Sequence, residues 1–228
     1  MSPLIDKTEE SLQQFWLQRW QDGDIGWHHQ EINAHLLAHW LTLGVERDSR
    51  VFVPMCGKTR DMAWLELQGH SILGVEISEI AVEQFFAEQG LTPEHTSSEP
   101  FQSYQAENFE LLCGDLFQLR PDHIRGISAV YDRASLVALD ARYRQAYAKL
   151  LADLLPANCR VLLVAMDYPQ DEMQGPPYSV PEDEVKDLFA GDFRITHLHT
   201  LDLLQDTDRY TNTGLSRLSE HIYKLQRK

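Results

Sequence analysis

Apolar positions divide the chain before any single residue is considered. Leu12, Phe15, Trp16 and Trp20 recur at three- and four-residue intervals, which predicts an amphipathic helix over residues 8–20. The stretch "QDGDIG" (21–26) interrupts that spacing, and residues 31–43 resume it as a second helix. From Arg50 the period changes. Short apolar runs at 51–54, 71–76, 109–113, 127–131 and 160–166 read as buried strands. Predicted helices at 59–68, 78–88 and 141–154 fall between them. Residues 167–180 contain "QGPPYSV", too rich in Pro and Gly for regular structure. A short helix at 181–189 follows, and 193–199 and 216–225 read as two closing strands. Buried strands alternating with helices predict an α/β fold, a mostly parallel sheet with helices on both faces. With no linker in sight, residues 1–228 are expected to form one domain. Residues 1–45 would be an N-terminal helical cover on an α/β core at 50–228.

Composition narrows the function classes. Hydrophobic residues make up 43% and charged residues 24%, enough for a substantial core. No apolar run reaches the length of a membrane span, and the acidic start "MSPLIDKTEE" does not read as a secretory signal. Cys56, Cys113 and Cys159 are widely spaced, with no Cys-x-x-Cys pair, so a zinc site or disulfide framework is not expected and a reducing cytoplasm is. A formal net charge of −15 argues against nucleic acid or an anionic membrane as partner. It suits a neutral or cationic small ligand, and solubility alone explains it equally well.

The stretch "VFVPMCGKT" (51–59) ends as a phosphate-binding loop does. That loop needs a glycine five positions before Gly57, where the chain has Phe52 inside an apolar run. What remains is a strand, a turn at Cys56-Gly57 and a helix start, the edge at which doubly wound sheets bind ligands. Glu76 closes the second strand 19 positions past Gly57. An acid at that place accepts hydrogen bonds from both hydroxyls of a ribose. Its alternative, capping the next helix, is already served by Ser78. After the third strand, Asp115 reads either as an acceptor for the exocyclic amine of adenine, with Leu116 against the ring, or as a simple turn acid. After the fourth, Asp132 and Arg133 stand at the strand tip, where Arg133 faces a ligand or makes a surface salt bridge. Nicotinamide dinucleotides need further glycines for the pyrophosphate, and the turn offers only Gly57. S-adenosylmethionine needs none, and aromatic faces hold its sulfonium. Trp16 and Trp20 lie four apart on one helix face, with Trp27 beyond the break. A helix packed over the cofactor mouth lets that stripe be both core and cover.

These segments together resemble the thiopurine S-methyltransferase family, in particular its bacterial branch. The resemblance runs through "FWLQRWQDGDIGWHHQEIN", "VFVPMCGKTRDMAWLELQGHSILGVEISEIAVEQFF", "LLCGDLFQL", "VYDRASLVAL" and "GPPYSVPEDEV", in the family's order. It implies a class I methyltransferase (Rossmann-like) fold, a seven-stranded sheet whose last strand is antiparallel. It implies S-adenosylmethionine contacts at Trp20, Met55, Glu76 and Arg133, with Leu116 and Asp115 near the adenine; Gly57 and Trp16 complete the expected cofactor site. It implies methyl transfer to the sulfur of aromatic or heterocyclic thiols such as thiopurines. Arg133, Arg209, Trp27 and His28 are the candidate substrate-side residues. Met55 stands where the family commonly has leucine, and Trp27-His28-His29 where it usually has Phe-His-Gln, a change at the lid that bears on substrate range.

The other reactive residues read more plainly. Adjacent His28 and His29 read as turn residues, His35 and His39 as a helical pair without a third ligand, and His197 and His199 as one surface face of a strand. No metal is expected. Cys56 reads as a small packing residue, since direct methyl transfer needs no covalent enzyme intermediate. Thiols of low pKa ionise unaided, so approximation and desolvation suffice without a strong general base. Two alternatives stay open: methylation of selenium or tellurium species, and a non-catalytic adenosyl-ligand-binding module. A monomer acting on a small-molecule thiol is expected.

Overall fold

In the computed structural model, residues 7–206 and 214–228 are described. Nine strands form one sheet: β1 (Arg50–Pro54), β2 (Ser71–Glu76), β3 (Glu94–Ser98), β4 (Phe101–Ala106), β5 (Phe109–Cys113), β6 (Ile127–Arg133), β7 (Arg160–Asp167), β8 (Phe193–Asp202) and β9 (Ser219–Arg227). Their order is β3-β4-β5-β2-β1-β6-β7-β9-β8. β5, β2, β1, β6 and β7 pair in parallel. β9 inserts antiparallel between β7 and β8, so the last strand runs as expected.

Seven strands were expected and nine are present. The two additions are the hairpin β3–β4, paired antiparallel against the edge of β5. β3 reads Glu-His-Thr-Ser-Ser and is exposed throughout, so it carries no apolar alternation to mark it. The closing strands also differ from the pattern. β8 runs on to Asp202, and β9 begins at Ser219 instead of 216.

Strand alternation divides the core in two. Val51, Val53 and Ile72 face one side of the sheet with Met62, Leu65, Phe85 and Phe86. These come from α3 (Asp61–Leu67) and α4 (Glu79–Gln89). Phe52, Leu73 and Val75 face the other side with Tyr147, Leu151, Val185 and Phe189, from α5 (Ala141–Leu154) and α6 (Glu182–Phe189). Helices therefore cover both faces. The N-terminal segment adds α1 (Lys7–Asp22) and the short α2 (Ala34–His39), and α7 (Leu203–Asp206) follows β8. Among the described residues no helix is long and apolar enough to cross a membrane.

One surface reading is corrected. His197 and His199 are exposed, but they do not share a face. A bulge between them breaks the alternation. His197 packs against His221 and Tyr223, with ring centroids 5.6 and 5.1 Å away. His199 lies 6.1 Å from His39 instead.

Candidate active site

The carboxyl ends of β1, β2, β5, β6 and β7 open into one cavity of about 590 Å³. Two strand tips are held in unusual backbone. Met55 after β1 and Ala134 after β6 have φ of 44° and 63°, a left-handed region that costs non-glycine residues on the order of 1–3 kcal/mol. Both line the cavity, and such strain persists where the surroundings over-determine the turn.

Glu76 is the best-fixed group in the site. It is 5% exposed. Its Oε2 accepts the Gly57 N–H at 2.8 Å and its Oε1 the Ser78 N–H at 2.9 Å. Burial raises its pKa, while N–H donors from Ser78, Gly57 and Ile77 pull it back down. Two glycines permit this approach. A Cβ at Gly74 would meet Cys56 Sγ at 2.7 Å, so only glycine lets the turn after β1 lie against β2. Gly57 has φ of 53°, and Trp20 sits 3.2 Å from where its Cβ would be. Ser78 caps α4 through Ala81 N–H, so Glu76 is free of that task.

Three tryptophans cluster against the cavity. Trp20 is 5% exposed, and Trp27 meets Trp20 and Trp16 edge-on at 5.9 and 5.0 Å. The Arg19 guanidinium lies 5.2 Å from the Trp27 ring and pairs with Asp24 at 2.9 Å. Arg133 Nη1 donates to the Trp27 carbonyl at 3.2 Å, which ties the tryptophan cluster to the tip of β6. All three tryptophans and Arg133 line the cavity. Asp115 and Leu116 line it from beyond β5. Asp115 Oδ1 accepts the Phe117 N–H at 2.9 Å, so the turn role is real and the second oxygen remains. His28 lines the cavity too, with its Nε2 buried and unpartnered. Burial lowers its pKa, helped by the charges of Lys58, Arg60 and Arg133 and opposed by Glu88. Arg209 lies outside the described residues.

This arrangement has close relatives. The family model described as "Thiopurine S-methyltransferase (TPMT)" matches residues 11–228. The chain belongs to the thiopurine S-methyltransferase family. It is 47% identical to the thiopurine S-methyltransferase of Nitrosospira multiformis over 93% of this chain and 96% of that one. It is 46% identical to that of Xanthomonas campestris pv. campestris over 93% and 98%. In fold it resembles the Burkholderia thailandensis 1,6-didemethyltoxoflavin-N1-methyltransferase, solved with S-adenosylhomocysteine, with a TM-score of 0.66 at 17% identity over 100% and 93% of the two chains. As a member of the family the protein is an S-adenosylmethionine-dependent methyltransferase.

The cavity lining also contains residues to which the sequence assigned no role. Asp61 is 2% exposed; it accepts the Tyr131 hydroxyl at 2.9 Å and the Asn33 N–H at 2.8 Å. His35, read from its helical spacing as bland, pairs with Glu220 at 2.8 Å. Phe117, Tyr143, Pro176 and Pro177 add an apolar wall. Of these, only the "GPP" run carried a signal in the sequence.

Proposed function

We propose that this methyltransferase acts on the sulfur of an aromatic or heterocyclic thiol of the thiopurine kind, with the cofactor held by Glu76, Trp20, Met55, Arg133, Asp115 and Leu116, and with Gly57 and Trp16 at its margins. The observation that carries the reading is Glu76. Its two oxygens accept the Gly57 and Ser78 N–H groups, with the Ile77 N–H beside them, which fixes the carboxylate while acceptor capacity remains for a ribose diol. Trp20 over the Gly57 turn offers an aromatic face to a sulfonium. Arg133, turned by the Trp27 carbonyl, supplies positive charge for the cofactor's carboxylate and favours an ionised acceptor. Asp115 keeps one oxygen for an exocyclic amine, and Met55 and Leu116 give apolar contact.

S-adenosylmethionine, when bound, supplies an electrophilic methyl on a cationic sulfur, which the thiolate takes in one displacement. The chain's own part is to align the two, exclude water and keep the acceptor ionised. Residues 1–45 serve as the cover in this reading, with Trp27 and His28 on the substrate side. Burial biases His28 toward its neutral form. The partner is a small thiol rather than a nucleic acid, in keeping with a net charge of −15. A cytoplasmic monomer is the simplest setting, supported by three free cysteines.

The test is transfer of labelled methyl to matched pairs, 6-mercaptopurine against hypoxanthine and thiophenol against phenol, over about pH 6–9. Thiol rates are expected to follow the thiolate fraction, with the oxygen analogues at least ~100-fold slower. A comparable phenol rate would overturn the reading.

A further inference from the structure

One carboxylate lining the cavity is not used by the cofactor reading above. Glu220 is the second residue of β9, where it pairs with Met166 near the end of β7. Two residues on, Ile222 pairs with Val164, which pairs in turn with Arg133 on β6. Tyr131 and Ile222 belong to one hydrophobic cluster, so alternation puts Arg133 and Glu220 on that same sheet face. Two inter-strand steps and two residues along the strand separate them, roughly 12 Å between backbones. Both line the cavity.

Glu220 is built into place. His35 Nε2 lies 2.8 Å from its Oε2, and the two side chains are 8% and 19% exposed. His35 is set by the start of α2, where Asn33 Oδ1 accepts the N–H groups of His35 and Leu36. Asn33 is in turn held through its own N–H by Asp61. One oxygen of Glu220 is therefore occupied by an imidazole from a distant part of the chain. The other accepts no hydrogen bond from the described residues, and Glu220 lines the cavity. A carboxylate so fixed selects for an N–H donor on the ligand, and such a bond is stronger than one between neutral groups.

We propose that Glu220, positioned by His35, is a specificity determinant that accepts a ring N–H of the substrate at the edge remote from its sulfur. The inference rests on the function proposed above. It makes nitrogen heterocyclic thiols with a free N–H better substrates than thiophenols, by a contact that the methyl transfer itself does not need.

Steady-state methyl transfer to 6-mercaptopurine, 9-methyl-6-mercaptopurine and thiophenol tests it. With the unaltered protein, KM for the 9-methyl compound should exceed that for 6-mercaptopurine by about tenfold, at similar kcat. Glu220→Ala should raise KM for 6-mercaptopurine by a similar factor, leave thiophenol within about twofold, and abolish the distinction between the two purines. His35→Gln, which keeps an N–H donor to the carboxylate, should preserve most of that distinction. Equal KM for the two purines in the unaltered protein overturns the proposal whether or not the variants fold, and so does a uniform loss on all three substrates in Glu220→Ala. Absence of turnover with every thiol, alongside intact S-adenosylhomocysteine binding, would instead overturn the functional reading and this inference with it.

Discussion

Glu76 shows how far a single position reaches. Its spacing from Gly57 made it legible, because the turn after β1 and the tip of β2 are both marked in the sequence by glycine. Asp115 was half legible: its turn reading holds, since one oxygen accepts the Phe117 N–H, and the residue lines the cavity where its adenine role is proposed. The pair His35–Glu220 was not legible, for a physical reason. Its members are 185 positions apart, and no local period reports a contact that only the sheet's closing strand creates. Glu76 also makes a pH prediction. Its pKa is raised by burial, and the ionised carboxylate is the form that accepts from two hydroxyls. As pH falls through that raised value the group takes a proton, one acceptor becomes a donor, and cofactor affinity is lost. Glu76→Gln carries no such titration. Calorimetry with S-adenosylhomocysteine should show affinity falling as the pH is lowered from neutrality into the acid range in the unaltered protein and staying flat in Glu76→Gln. Glu76→Ala should weaken binding by roughly 1–3 kcal/mol at neutral pH, since two hydroxyls lose their acceptor. Parallel pH curves for the unaltered protein and Glu76→Gln would remove the carboxylate from the ribose.

At the level of elements, periodicity served where an element has a buried face and failed where it has none. The parallel strands are continuous apolar runs, and they stand where the pattern put them to within a residue or two. The β3–β4 hairpin went unseen because β3 is wholly exposed and shows no apolar alternation; backbone pairing and the stacking of His95 on Tyr104 hold it. α1 was legible as a helix but not as a tether. Among its described side chains, from Leu12 to Asp22, only Trp20 is buried, and Phe15 is 37% exposed. A helix anchored by one buried indole, the half-buried Leu12 and ring contacts to Trp27 should open at low cost. If that anchor lies on the cofactor, ligand should close it. Amide hydrogen exchange of α1 is therefore expected to slow by at least about tenfold with S-adenosylhomocysteine, while the central strands change little. Trp20→Phe should retain more of that slowing than Trp20→Ala. Equal exchange with and without ligand would mean that α1 is a fixed part of the core.

Across the whole molecule, the cavity exists because two helical layers and one sheet are locked together at the strand tips. Asp132 makes one of those locks. It is 1% exposed, sits beside Arg133 at the end of β6, and faces the opposite side of the sheet. Its Oδ2 accepts the hydroxyl of Tyr147 from α5 at 2.7 Å, and its Oδ1 accepts the Leu136 N–H at 3.2 Å. The "YDR" motif thus divides its work: Arg133 to the cavity, Asp132 to the packing beneath it. Burial pushes the Asp132 pKa from 3.8 up to about 6, against the downward pull of Tyr147, Leu136 and Ser135. The folded state therefore binds this proton more tightly than the unfolded chain. The stability it contributes is fully present below about pH 3.8 and is lost as pH rises through about 6. Asp132→Asn keeps an acceptor for Leu136 and carries no titration. Urea unfolding of both proteins isolates the effect, because every other carboxylate cancels in the difference. The unaltered protein should lose about 2–3 kcal/mol relative to Asp132→Asn between about pH 4 and about pH 7. A difference that does not change with pH would mean that Asp132 is ionised in the folded protein throughout, held by its hydrogen bonds against the cost of burial.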